Sequence, residues 1–204
     1  MIADFLVVDV ETANHSRHSI CQIGIAAFVD GKMVDGWESL VNPQDYFNSF
    51  NIGIHGIGPD AVADAPTWSE VWDKVNSLLA GSAVASHTDF DRSALSGACT
   101  RAQIQPLTYR KWLDTCWLAR SAWPHLPNHK LTGLARHFGI VYRAHDALED
   151  ARVAGEILAL ALDERRISIT ELMVAPERHI TRFPKSPGVE APLKAALATP
   201  ALRR

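Results

Sequence analysis

Cysteine is scarce in this chain, and a long apolar run is missing altogether. Cys21, Cys99 and Cys116 are odd in number and widely spaced. They make neither a zinc pattern nor a disulfide framework, which favours a reducing compartment and predicts a cytoplasmic protein. Nothing approaches the roughly 20 apolar residues of a membrane helix, so no membrane partner is expected. The N-terminus also lacks the positive stretch and apolar core of a secretory signal. A strong charge of either sign is absent too. The net charge of −3 argues against wholesale electrostatic capture of a polyanion, yet leaves room for a local basic site, because distribution counts for more than the sum. No internal repeat is present. What remains, 47% hydrophobic and 21% charged over 204 residues, suits one well-buried domain with space for a tail.

Local patterns place the elements. Residues 4–10, Ile20–Val29 and Met33–Val41 read as strands, with Asp30-Gly31 as the hairpin turn between the second and third. Pro43 to Pro66, broken by Gly53, Gly56, Gly58 and Pro59, reads as loop. Thr67 and Glu70 form a capping box ahead of Trp68, Val71, Trp72, Val75, Leu78 and Leu79 at helical spacing, and Gly81 ends that helix. A short strand follows at Ala83–Ala85, then a helix from near Asp91 towards Cys99, and a last strand at Trp112-Leu113. Lys130–Phe138 and Ala147–Leu162 read as helices. A meander followed by alternating helices and strands predicts an α/β domain whose mixed sheet is antiparallel first and parallel later. At Pro176 the composition shifts to prolines and basic residues, which sets a domain at 1–175 and a Pro-rich basic tail at 176–204.

The chemistry begins with Asp9 and Glu11, at the end of the apolar run Phe5-Leu6-Val7-Val8. Residues two apart on a strand share a face, so two negative charges stand side by side. That is costly unless a cation neutralises them, and hard oxygen ligands suit Mg²⁺ or Mn²⁺. Alone, the pair fits a strand end fraying into solvent equally well. A second acidic segment, Ser86-His87-Thr88-Asp89-Phe90-Asp91, follows a short strand and opens a helix, where the dipole favours an ionised acid. A third, His145-Asp146-Ala147-Leu148-Glu149-Asp150, places Asp146 as a helix cap and Asp150 in the first turn. Beside such a carboxylate, His145 becomes a candidate general base.

Taken together, Asp9 to Thr12, Ser86 to Asp91 and His145 to Asp150 resemble, in order and spacing, the three motifs of the DEDDh exonucleases, the DnaQ-like group of the ribonuclease H-like superfamily. The likeness runs from about residue 4 to 162 and includes Ile54-His55-Gly56-Ile57. Ser86 and His87 depart from it, standing where the family often has His and Asn. Asp89 is an extra acid, better suited to capping; Asp91, after Phe90, fits the motif.

The resemblance implies a five-stranded mixed sheet of order 3-2-1-4-5 flanked by helices. It implies that Asp9, Glu11, Asp91 and Asp150 bind two Mg²⁺ or Mn²⁺ ions and that His145 is the base. The implied reaction is hydrolysis of the terminal phosphodiester of a strand with a free 3′ end, releasing nucleoside 5′-monophosphates. Thr12 and Ala13 are expected near the 3′-hydroxyl, with Ile54, His55, Ile57 and Phe90 against the terminal sugar or base, where stacking tolerates any sequence. Phe90 fits core and pocket equally; Trp112, Trp117 and Trp123 fit packing better than base stacking. Arg17, His15 and His18 are loop cations within reach of phosphate. Single-stranded DNA is the favoured substrate. An RNA-directed exonuclease on the same scaffold and a non-catalytic nucleic-acid or polymerase-binding module are the alternatives. By analogy, a DNA polymerase and a second copy of the chain are candidate partners.

Overall fold

The first strand sets the architecture, because it is buried on both faces. The computed structural model describes residues 3–174, and the expected tail at 176–204 lies outside them. Strand β1 (Phe5–Thr12) pairs antiparallel with β2 (Ile20–Val29) and parallel with β4 (Ala83–Ser86). β3 (Lys32–Leu40) and β5 (Lys111–Asp114) complete a five-stranded sheet of order β3-β2-β1-β4-β5. A two-residue turn links β2 to β3; Asp30 and Gly31 both take positive φ, 50° and 71°, as the primed hairpin turns require.

Alternation along β1 divides the core. Leu6, Val8 and Val10 face helices α2 (Trp68–Leu79) and α3 (Phe90–Ala102), packing with Val71, Val75, Leu79, Leu95 and Cys99. Phe5 and Val7 face α4 (Thr115–Ala122), α5 (Leu131–Phe138) and α6 (Ala147–Arg165), joining Leu118, Leu134, Ile157 and Leu158. Asp9 and Glu11 continue the Phe5–Val7 series, so both point towards the α6 side as the strand runs out of apolar residues. α7 (Ile169–Val174) closes the described chain.

The capping box at α2 forms as expected: Glu70 Oε2 accepts from the Thr67 N–H at 2.7 Å and from its hydroxyl at 2.8 Å. The segment expected as loop between Pro43 and Pro66 contains helix α1 (Ser49–His55) and a short 3₁₀ turn, Pro59–Val62. α1 buries no residue of its own, so no apolar periodicity marks it. Asn48 caps it by accepting from the Phe50 N–H at 2.9 Å, and its inner face is tied to Thr12. α4 is likewise unmarked by the breaker pattern; Asp114 caps it by accepting from the Trp117 N–H at 2.9 Å. No helix among the described residues is long and apolar enough to cross a membrane.

Candidate active site

Three chain segments meet where β1 ends. The first is β1 itself. Its ladder with β2 slips between Glu11 and Thr12, which leaves Cys21 as an extra residue opposite the step. Such a bulge bends the strand and re-aims side chains, and here it falls directly after Glu11.

The second segment is the turn from β4 into α3. Ser86 is fully buried, donates to the Thr88 carbonyl at 2.5 Å and accepts from Trp112 Nε1 at 2.9 Å. Thr88 is held at φ +89°, a rare conformation for a β-branched residue and a form of strain concentrated at functional sites. The turn sends Phe90 outwards (38% exposed) and Asp91 inwards (3% exposed). Asp91 Oδ1 accepts the Val10 N–H at 3.1 Å, which fixes α3 to β1 where β4 has left it. Asp89 sits at the N-cap position without capping through its side chain; it accepts from Ser93 Oγ at 2.9 Å and pairs with Arg92 at 3.3 Å.

The third is the loop into α6. Asp146 caps the helix by accepting from the Glu149 N–H at 3.2 Å, and the Arg143 guanidinium pairs with its carboxylate. Asp150, one turn on and 6% exposed, accepts the His145 N–H at 2.6 Å. His145 takes φ +63°, so a left-handed backbone presents the imidazole. That ring is half exposed, with Nδ1 3.7 Å from Glu11 Oε1.

Asp9, Glu11, Asp91, His145 and Asp150 thus line one open cleft of about 470 Å³, which also takes in His87, Phe90 and Lys130. Burial, then the charges of Asp91, Asp150 and Glu11, holds Asp9 well above the usual carboxylate range. Burial and the charges of Asp150 and Asp91 push Glu11 up to about 8. Burial takes Asp91 to about 7 in spite of the Val10 N–H. Asp150 is raised by burial as well, with the His145 N–H opposing the shift. Among the described residues no lysine or arginine pairs with any of the four. Two buried acids, Asp91 and Asp150, and two partly buried ones, Asp9 and Glu11, fit a divalent cation, whose charge reverses this balance. Glu11, His145 and Asp150 offer ligand atoms within 4.8 Å of one another. Nearby, burial and the Asp150 charge keep the Tyr142 hydroxyl protonated.

The other expected contacts separate into two groups. Phe90 lines the cleft, and Ile54 stands exposed on α1. Ala13 lies in a small core with Cys21 and Val62, packed against by Ile57; its N–H donates to the Ser19 carbonyl and its own carbonyl accepts from the Asn48 N–H, both at 2.8 Å. The Thr12 carbonyl accepts from Asn51 Nδ2 at 2.9 Å and lies 3.2 Å from His55 Nε2. His55 Nδ1 accepts the Ile57 N–H at 3.0 Å. This sets the neutral Nε2–H tautomer, and burial lowers the ring's pKa in the same direction. His55 is therefore a clamp on the peptide after Glu11. His87 is locked too: Nδ1 is 2.8 Å from the Thr115 hydroxyl and Nε2 2.9 Å from the His129 carbonyl. Sequence reasoning left its role open, because both partners come from distant segments. Trp117 and Trp123 pack in the core, and Trp112 packs against the opposite cluster.

A mixed sheet of this order, with acids converging at the end of its first strand, is the architecture of the ribonuclease H-like exonucleases. The exonuclease family RNase_T matches residues 6–158, and the chain belongs to that family. A DNA polymerase III PolC-type protein from Caldanaerobacter subterraneus subsp. tengcongensis is 34% identical over 166 residues, covering 79% of this chain and 12% of that protein. The chain therefore spans about an eighth of the length of that relative. The fold matches exonuclease X in complex with 5′ overhanging duplex DNA, with TM-score 0.65, 20% identity and coverage of 83% of this chain and 97% of that one. It also matches the nuclease domain of 3′hExo, a DEDDh family member bound to rAMP, with TM-score 0.67, 21% identity and coverage of 79% and 93%.

Proposed function

We propose that the domain is a 3′–5′ exonuclease that hydrolyses the terminal phosphodiester of DNA, single strands favoured, and releases nucleoside 5′-monophosphates. The observation that carries this reading is the meeting of Asp9, Glu11, Asp91 and Asp150, unpaired by lysine or arginine among the described residues, with a half-exposed His145 beside Glu11.

Asp9, Glu11, Asp91 and Asp150 would hold two divalent ions, Mg²⁺ or Mn²⁺. When bound, such a pair supplies Lewis-acid charge to the attacking and leaving oxygens of an in-line displacement. His145 takes the proton of the attacking water at its imidazole, held in place by the bond from its own N–H to Asp150. The clamp from Asn51 and His55 onto Thr12 keeps the strand end rigid, so that the 3′-terminal nucleotide meets a preset edge. Phe90 and Ile54 offer apolar surface to its base.

Matched 5′-labelled single-stranded DNA, duplex DNA and short RNA, incubated with and without Mg²⁺ or Mn²⁺, test the reading. The expected result is a ladder of stepwise shortening on DNA that disappears in Asp9→Ala and His145→Ala. Metal-independent shortening, or full activity in Asp150→Ala, overturns the mechanism; faster cleavage of RNA replaces the substrate. The name of the PolC-type relative makes a DNA polymerase a proposed partner, and a second copy of the chain is another, each read by co-elution with the purified protein.

A further inference from the structure

The outer face of α3 and the loop cations before it have no part in the site above. Two cavities lie end to end there. One of about 620 Å³ is bounded by His18, Asp89, Arg92, Ser93, Ser96 and Arg101. The other, of about 310 Å³, shares His18 and Arg101 with it and continues towards Asn42 and Thr67. They form one open trough along α3, whose 13 residues make it about 20 Å long at 1.5 Å per residue.

The trough begins at the rim of the cleft. Asp89 and Arg92 flank the Phe90-Asp91 pair, and those two residues line the cleft itself. The Arg17 guanidinium carbon lies 5.3 Å over the Phe90 ring, so the same aromatic is shared between the cleft and the loop. Beyond it, Ser96, Gly97 and Thr100 keep the floor low, and a Cβ at Gly97 would stand 3.5 Å from His18 Cβ. The lining of the trough is basic although the chain as a whole is acidic. Arg92 and Arg101 line it against one carboxylate, Asp89, at 3.3 Å from Arg92. Arg17 stands at its mouth over Phe90, while Asp45, 3.4 Å from His18, and Glu70, bonded to Thr67, flank it. Among the described residues no carboxylate pairs with Arg17 or Arg101.

We infer that this trough seats the sugar-phosphate backbone of the strand being shortened, upstream of its 3′ end, with Arg17, Arg92 and Arg101 on successive phosphates. The inference rests on the exonuclease reading and adds to it a binding track for the substrate. A polyanion is the occupant that the charge fits, and continuity with the cleft makes it the same strand. About 20 Å holds about six nucleotides at the 3.4 Å per-strand rise of stacked DNA, fewer if the strand is stretched. The low floor lets a backbone approach the helix, and the arginines match phosphate geometry.

The test compares DNA strands of two to ten nucleotides with the p-nitrophenyl ester of thymidine 5′-monophosphate, which reads the cleft alone. In the wild type, KM should fall with length up to about six nucleotides and then level off. In Arg101→Glu, kcat/KM for the ten-nucleotide strand should drop about tenfold relative to ester hydrolysis by the same variant. The salt dependence of binding should weaken by about one phosphate contact. Arg101→Lys should restore most of the loss. Fluorescence anisotropy of the labelled ten-nucleotide strand provides a binding arm that needs no turnover. A length-independent KM, or unchanged affinity in Arg101→Glu, overturns the trough. Competition by polyglutamate as strong as that by DNA overturns it in favour of an acidic protein partner. Absence of metal-dependent hydrolysis of ester and strand alike overturns the exonuclease reading instead, and the binding arm then decides the trough separately.

Discussion

Val10 donates its N–H to Asp91 Oδ1 across 3.1 Å, joining residues 81 apart in the chain. The parallel ladder between β1 and β4 ends at Val7 and Ala85, so this amide has lost its sheet partner and takes a carboxylate instead. Asp91 thus serves both as the seam between β1 and α3 and as a member of the acidic cleft. The two roles separate by substitution. Asp91→Asn keeps an acceptor for Val10 and removes a buried charge. It should melt no lower than the wild type without metal while losing activity on the order of 10³-fold. Asp91→Ala should lose the activity and also about 1–3 kcal/mol of stability, because a buried N–H is left unmatched. Thermal melts in chelator beside the strand-shortening assay read both; equal stability of the two variants would sink the seam.

The acids also set a pH dependence. Glu11 sits near 8 in the folded chain against about 4.5 when unfolded, and Asp91 near 7 against 3.8. A carboxyl whose pKa rises on folding contributes stability that is full below the unfolded value and is lost as pH climbs through the folded one. The metal-free protein should therefore melt lower at pH 8.5 than at pH 5.5, by on the order of 5 °C. Glu11→Gln should shrink the difference, and saturating Mn²⁺ should remove most of it. A melting temperature that rises across this window contradicts the assignment.

His145 combines a left-handed backbone with an exposed ring, so its chemistry and its conformation can be separated. Asparagine tolerates positive φ better than most residues, and the N–H donated to Asp150 belongs to the backbone. His145→Asn should keep the wild-type melting temperature and lose about 10²–10⁴-fold in rate. A variant that folds and still shortens DNA at full rate removes His145 from the mechanism.

The sequence made most of this legible where burial and chemistry leave periodic marks. Alternation in Phe5 to Val8, the capping box at Thr67 and Glu70, and the three acidic segments each identify an element or a cluster from local residues. What escaped notice depends on partners far away. α1 shows no apolar face because its hold is polar, Asn51 and His55 gripping the Thr12 carbonyl. β1 runs on to Thr12 because its last turn outwards is stabilised by the Asp91 and α1 contacts, and not by hydrophobicity. Ser86 and His87 look like altered site residues in the sequence, yet Ser86 is buried between Thr88 and Trp112, and His87 is fixed by Thr115 and His129.

Gly24 shows how closely packing and the cleft are coupled. It lies opposite Asp9 in the β1–β2 ladder, and the first turn of α6 rests on it. A Cβ there would stand 2.3 Å from the Leu148 nitrogen and 2.4 Å from the Ala147 carbonyl carbon. Both are backbone atoms, so the helix start must move, and with it Asp150 and His145. Gly155, further along α6, faces a similar clash, with Phe28 ring atoms at 2.2 Å, but displaces the helix away from its acidic end. Overpacking of this kind costs about 1–3 kcal/mol, so Gly24→Ala and Gly155→Ala should lose comparable stability. Their metal response should differ. Gly155→Ala should keep the rise in melting temperature that Mn²⁺ gives the wild type, whereas Gly24→Ala should lose most of that rise together with the activity. Equal Mn²⁺-dependent shifts in the two variants would show that the approach of α6 to Asp9 does not set the geometry of the cleft.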